Sequence, residues 1–241
     1  MDYHWNLGII LQPPYAGWLV SGLALTMALS MIAWALALLI GVCVAVSRIS
    51  DNSLVRVVGG LYVSVFRNIP LLLQLFMWFF VVPELLPDRV GLFVKRDLPH
   101  AEFWTAVCAL GFYTSGRLAE LFKAGLRAIP KGQAQAAAAS GMTHAQVLRY
   151  ILVPQCVRII IPALTSEFMS VVKNSSLALT IGVLEITAQS RQIDDYTFQG
   201  FEAYGAATVL YLLIGALLTG GMRVFESGKR SKRLPGVRKN V

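Results

Sequence analysis

The stretch Trp18–Val46, WLVSGLALTMALSMIAWALALLIGVCVAV, decides the fold, because its 29 residues contain no Asp, Glu, Lys or Arg. A helix that crosses the hydrocarbon core of a bilayer needs about 20 predominantly apolar residues, and this run exceeds that length. The uncharged region in fact reaches from Asp2 to Arg48. The whole chain has the same character: of 241 residues, 56% are apolar or aromatic and 14% are charged, with a mean hydropathy of +0.62. Globular domains carry about 25% charged residues, so a soluble enzyme is excluded. An integral membrane protein follows, and Ala203–Met222 is a second uninterrupted span.

Three further apolar segments are interrupted by charge. Val57–Pro83 contains Arg67, Phe103–Phe122 contains Arg117 and Glu120, and Ile159–Leu184 contains Glu167 and Lys173. Five spans are therefore expected, at 18–46, 57–83, 103–122, 159–184 and 203–222, in a single all-α transmembrane domain covering 1–241. The fourth is expected to break near Asn174, where Lys-Asn-Ser-Ser sits at its centre. Small or weakly polar residues on the first span, Gly22, Thr26 and Ser30, suit close helix packing. Met1–Gly17 carries one Asp, one His and no Lys or Arg, which is not the basic start of a secretory leader. Cys43, Cys108 and Cys156 lie in or beside apolar stretches and form neither a disulfide framework nor a metal-ligand spacing.

The net charge of +8 would suit a nucleic-acid binder in a soluble protein, but here the basic residues flank apolar segments. They are better read through the positive-inside rule, which counts Lys and Arg in short loops. Arg117–Arg158 holds six Lys/Arg and the region from Arg223 holds seven, so both are expected in the cytoplasm. Glu84–Glu102 holds three basic and four acidic residues, and Glu185–Glu202 one basic and four acidic, so both are expected as outer loops. An odd number of spans then places the N-terminus outside and the C-terminus inside. The basic tail Lys229–Lys239 is expected to lie against anionic membrane lipid, with no nucleic-acid partner.

Ionisable residues inside a span are costly and need a partner or a watery cavity. Arg117 and Glu120, at i,i+3, can pair on one helix face. Glu167 and Lys173, six residues apart, cannot, so each must look to another helix or to water. Arg67 and Asn68 stand beside Pro70, which can kink or start a helix. Arg67, Asn68, Glu120, Glu167, Lys173, Asn174, Ser175 and Ser176 together form the candidate substrate path, or else a polar network that holds subunits together.

The segment Lys131–Pro154, KGQAQAAAASGMTHAQVLRYILVP, is too polar to span and too strongly helical for a slack loop. Gln133–Ser140 is Ala-rich, Gly141 suits a left-handed helix end, and Thr143 with Gln146 has capping-box spacing for a restart, with Met142 and Val147 placed as a hydrophobic staple. Two readings remain open at this level: a hairpin lying on lipid headgroups, or a docking surface whose small side chains let a partner's groove close around it.

The positions of Gln133, Gln135, Ala136, Ala137, Gly141, Ile151 and Pro154 resemble the EAA loop of permease subunits in bacterial ABC importers. RNIPLLLQLF at 67–76, RLAELFKAGLRAIPKGQ at 117–133 and KNSSLALTIG at 173–182 are similar to the polar amino-acid uptake branch. WNLGIILQ at 5–12 and PELLP at 83–87 resemble its glutamate/aspartate importers. The sequence departs from the motif at Gln135, where Glu is usual, and at Val153, where Leu is usual. The resemblance implies that 131–154 couples to an ATPase and that the chain itself is non-catalytic. It further implies a pair of ATP-binding subunits, a second homologous or identical permease, a periplasmic or extracellular substrate-binding protein, and a place in the bacterial inner membrane. No cofactor is expected in this chain, ATP and Mg being held by the ATPase. The sequence agrees in having no P-loop: Ser227-Gly228-Lys229-Arg230 lacks its first Gly and final Ser/Thr. The alternative class is a secondary transporter or channel, although no internal repeat of the carrier kind is visible. A membrane enzyme is disfavoured by the absence of an H-E-x-x-H string and of an activating His or Lys beside Ser115.

Overall fold

The computed structural model describes Tyr3 and residues 5–230, with side chains to Met222. The basic tail expected at the membrane lies outside the described residues from 231 onward. The described residues are helical, with no strand among them. A 3-10 turn, Leu7–Leu11, leads into α1, Tyr15–Ser47. Then follow α2 (Ser53–Asn68), α3 (Leu71–Leu85), the short α4 (Asp88–Leu92), α5 (Ala101–Arg127), α6 (Lys131–Ala139), α7 (His144–Ile181), α8 (Ile186–Thr197) and α9 (Gly200–Arg230).

Three of these, Tyr15–Ser47, His144–Ile181 and Gly200–Met222, are individually long and apolar enough to cross a membrane. The segment expected as one span at 57–83 is instead two helices meeting at 104°, which reach that length and hydropathy only together. Pro70 causes the break: it offers no N–H and pushes the preceding residue out of the α region, and Ile69 is extended at φ −85°, ψ 127°. The bend leaves carbonyls of α2 without helical partners, a costly condition at membrane depth. Gln74, only 1% exposed, resolves it by donating from Nε2 to the carbonyls of Phe66 (2.8 Å) and Ile69 (3.0 Å).

Helix α5 explains how a charged segment sits inside the bundle. It is too polar to qualify as a lipid-facing span, yet Ala106, Ala109, Leu110, Ser115, Leu118 and Ala119 are almost fully buried. Its neighbours are α1, α2, α3 and α7 rather than lipid. The main partner is α1, whose buried stripe runs Gly22, Thr26, Ser30, Ala33, Ala37, Gly41 and Ala45. The small side chains bring the axes close: a Cβ on Gly41 would stand 2.9 Å from Leu118 Cβ and 3.2 Å from the Ser115 carbonyl.

Beyond Asn174, α7 tightens from α to 3-10 geometry over Ser175–Ile181 and ends at Gly182, at φ +95°. Most of the region expected as an outer loop at 185–202 is helical, α8, packed against α1 and α9. Two of the four acids counted in that loop are buried. Glu185, 0% exposed, is the N-cap of α8, accepting from the backbone N–H of Thr187 (3.0 Å) and Ala188 (2.9 Å) and from the Tyr211 hydroxyl (2.7 Å). Thr26 Oγ1 on α1 accepts from the Ile186 N–H at 3.2 Å. Glu202 binds the N-terminal segment, accepting from the Asn6 N–H (2.8 Å) and from the Tyr3 hydroxyl.

Candidate functional site

The end of α2, the middle of α5 and Glu167 of α7 meet around one polar cavity. It has a volume of about 290 Å³ and is lined by Arg67, Tyr113, Arg117, Glu120 and Glu167. Arg117 on α5 makes a two-pronged bond to Glu167 on α7, Nε to Oε2 at 2.8 Å and Nη2 to Oε1 at 2.9 Å. This fork geometry is the strong form of a guanidinium–carboxylate contact. The Arg117 guanidinium also lies 6.0 Å from the centre of the Tyr113 ring. Glu120 pairs with Arg48 at the end of α1, and Arg67 Nη1 stands 3.8 Å from the same carboxylate.

The i,i+3 pair expected between Arg117 and Glu120 is therefore replaced by two interhelical pairs. Each side chain finds an opposite charge on a neighbouring helix, where the partners are held by packing. Among these groups three guanidiniums face two carboxylates, leaving one positive charge in excess. Arg67 is the least committed of the three, 47% exposed and, among the described residues, with no ion pair closer than 3.8 Å. Arg48 is absent from the sequence-derived set because it ends an apolar run, where a cation ordinarily marks the membrane surface. Tyr113 is absent because an isolated aromatic residue in a span carries no chemical signal.

The other path candidates lie elsewhere. Asn68 and Lys173 are exposed and do not line the cavity, and Asn174 is half-buried. Ser175 and Ser176 donate their hydroxyl hydrogens to the carbonyls of Val172 and Lys173, each at 2.7 Å. Such back-bonding competes with the α-helical ladder, and it falls where α7 becomes 3-10. The hydroxyls thus shape the helix end and are not free donors for a passing carboxylate.

The segment 131–154 is helix, turn, helix. α6 closes with the Gly141 N–H donating to the Ala138 carbonyl (3.0 Å) and the Met142 N–H to that of Ala137 (3.3 Å), Gly141 sitting at φ +85°. This is the left-handed Schellman closure. The restart carries both halves of the capping box, Thr143 N–H to Gln146 Oε1 at 2.8 Å and Gln146 N–H to Thr143 Oγ1 at 3.4 Å. Ala137 and Val147 are buried, while Gln133, Gln135, Ala136, Gly141 and Pro154 are exposed and Ile151 is half-buried. From His144 the chain continues through 38 helical residues to Ile181, so this segment and Glu167 belong to one helical body.

An all-helical chain with membrane-length helices, a helix-turn-helix at 131–154 and a cavity lined by charged residues has the architecture of a transporter component. The chain belongs to the family of binding-protein-dependent transport system inner membrane components, whose model matches residues 37–231. It is 40% identical, over 98% of both chains, to the glutamate/aspartate import permease protein GltJ of Escherichia coli (strain K12). It is 34% identical to the probable glutamine ABC transporter permease protein GlnM of Bacillus subtilis (strain 168), over 83% of this chain and 88% of that one. Among solved structures, an amino acid ABC transporter crystallised with histidines superposes with a TM-score of 0.81 at 29% identity, covering 93% of this chain and 99% of the other. The chain is thus an inner-membrane permease subunit of an amino-acid ABC importer, working with an ATP-binding subunit that hydrolyses ATP and with a substrate-binding protein.

Proposed function

We propose that the chain imports acidic amino acids, glutamate and aspartate, as half of a pore completed by a second homologous or identical permease, with its N-terminus outside and its C-terminus in the cytoplasm. The substrate class rests on the charges around the cavity: two guanidiniums and two carboxylates line it, and Arg48 stands behind Glu120, which leaves one positive charge in excess. A substrate with two carboxylates and one ammonium carries the single negative charge that matches the excess. Arg67 is assigned to a substrate carboxylate, because the other cations are held more closely. The likeness to an E. coli protein named for glutamate and aspartate import supports the same class. Asn68 and Lys173 are assigned to the face that the second permease completes, since polar groups turned toward lipid would be costly.

The segment 131–154 is assigned to the ATPase, with Gln133, Gln135, Ala136 and Gly141 on its outer surface and packing rather than charge dominating the contact. Glu167 lies 23 residues along α7 from His144, or roughly 35 Å at 1.5 Å per residue. When the ATP-bound ATPases close, displacement of this segment is carried along α7 to Glu167 and through its fork to Arg117 on α5. The cavity changes its opening as the two helices move, and hydrolysis resets it.

The test is ATP-driven uptake by the assembled importer in proteoliposomes. Arg67→Gln is expected to lower glutamate uptake at least tenfold and to reduce the preference for glutamate over glutamine, with assembly and basal ATP hydrolysis retained. Unchanged uptake and preference would overturn the assignment.

A further inference from the structure

A second space lies away from the charged cavity. Helix α9 packs along α8 and, farther on, leaves a groove of about 460 Å³ between itself, α7 and the middle of α1. Trp34 and Leu38 form one wall, Ile161 and Phe168 the second, Leu217 and Met222 the third. Trp34 is braced against Phe168, with ring centres 5.5 Å apart. The one hydroxyl in the groove, on Thr165, is turned back to the Ile161 carbonyl at 3.3 Å. Gly221 has open space where a Cβ would stand. An apolar groove of this kind, opening at membrane depth, is filled by hydrocarbon or by another protein.

Its extent and surroundings distinguish these. From Ile161 to Phe168, α7 rises roughly 10 Å, less than half of the roughly 30 Å hydrocarbon core, so the groove is short enough to lie within one leaflet. Arg158 is exposed one turn before Ile161, and in the sequence seven Lys/Arg follow Met222. An Arg stem can lie along apolar surface with its guanidinium at headgroup level, and clustered basic residues beside a membrane favour anionic lipid. A packed apolar helix would fill the groove but would leave the Arg158 guanidinium unanswered. We infer that the groove is a site for one acyl chain of an anionic phospholipid whose phosphate is held by Arg158.

Trp34 reports on its occupant. The assembled importer, in nanodiscs containing brominated phosphatidylglycerol or brominated phosphatidylcholine, is compared with the same complex carrying Trp34→Phe, so that the difference isolates quenching at Trp34. Half-quenching is expected at a mole fraction about fivefold lower for the anionic lipid. Arg158→Gln should remove that difference while quenching persists, and Gly221→Leu should reduce quenching by both lipids. Equal half-quenching by the two lipids would mean unselective annular lipid and would overturn the site. Absence of quenching would overturn it in favour of a protein helix in the groove, such as one from the second permease. Quenching unaffected by Gly221→Leu would also overturn it.

Discussion

Replacing Glu167 with Met removes the carboxylate that holds the Arg117 fork and leaves a guanidinium unpaired beside the cavity. The two side chains are 21% and 38% exposed, so the loss lies between the ~0–1 kcal/mol of a surface pair and the ~3–5 kcal/mol of a buried pair that loses one member. About 2 kcal/mol is expected. Arg117→Met should cost a similar amount, because it strands Glu167. The double variant should cost about 1 kcal/mol or less, since two apolar side chains in place of a pair are often nearly neutral. Cys156, 2% exposed on α7, offers a readout through its reaction with a thiol-reactive dye as the assembled importer is heated. For domains of this size, ~2 kcal/mol corresponds to a fall of about 4–8 °C in Tm. The double variant should melt above either single variant. If its loss instead equals the sum of the single losses, to within ~0.5 kcal/mol, the two side chains act independently and the fork does not link α5 to α7.

Gln74→Leu should destabilise by about 2–4 kcal/mol, from two lost hydrogen bonds and two orphaned carbonyls; accelerated hydrogen exchange at the Ile69–Pro70 bend is the check, and unchanged exchange would show that the carbonyls find other partners. At Gly141, a Cβ meets nothing within 4 Å, and Asp and Asn are the side chains best suited to a left-handed residue. Gly141→Asp should therefore leave the protein in the membrane yet abolish uptake, and Gly141→Asn, a side chain of nearly the same size, should impair it comparably if packing dominates the contact. Normal uptake by the Asp variant, measured with membrane levels by immunoblot, would remove the docking role from this face.

Much of the protein is legible along the chain because those features are local. The uncharged apolar run 18–46 must avoid water wherever it lies, and it lies within α1. The helix-turn-helix at 131–154 is equally local: Gly141 tolerates positive φ, and Thr143 and Gln146 cap each other across three residues. The resemblance carried by that spacing led to the family. Pro70 marked a kink, but neither its 104° size nor the role of Gln74 could be read, because the angle depends on what the two helices pack against.

Other features depend on which helices become neighbours. Glu185 and Glu202 read as loop acids, yet each is buried by donors distant in sequence, Tyr211 for one, Asn6 and Tyr3 for the other. Arg117 and Glu120 read as a pair on one helix, yet their partners come from α7 and α1. Sequence alone determined the membrane class, the helix-turn-helix at 131–154 and the inventory of charges within the apolar segments, since composition and short-range capping act within a few residues. Only the tertiary structure decided which charges meet, which carboxylates are buried and where the cavity opens, because Coulomb pairing and burial depend on distance in space rather than along the chain.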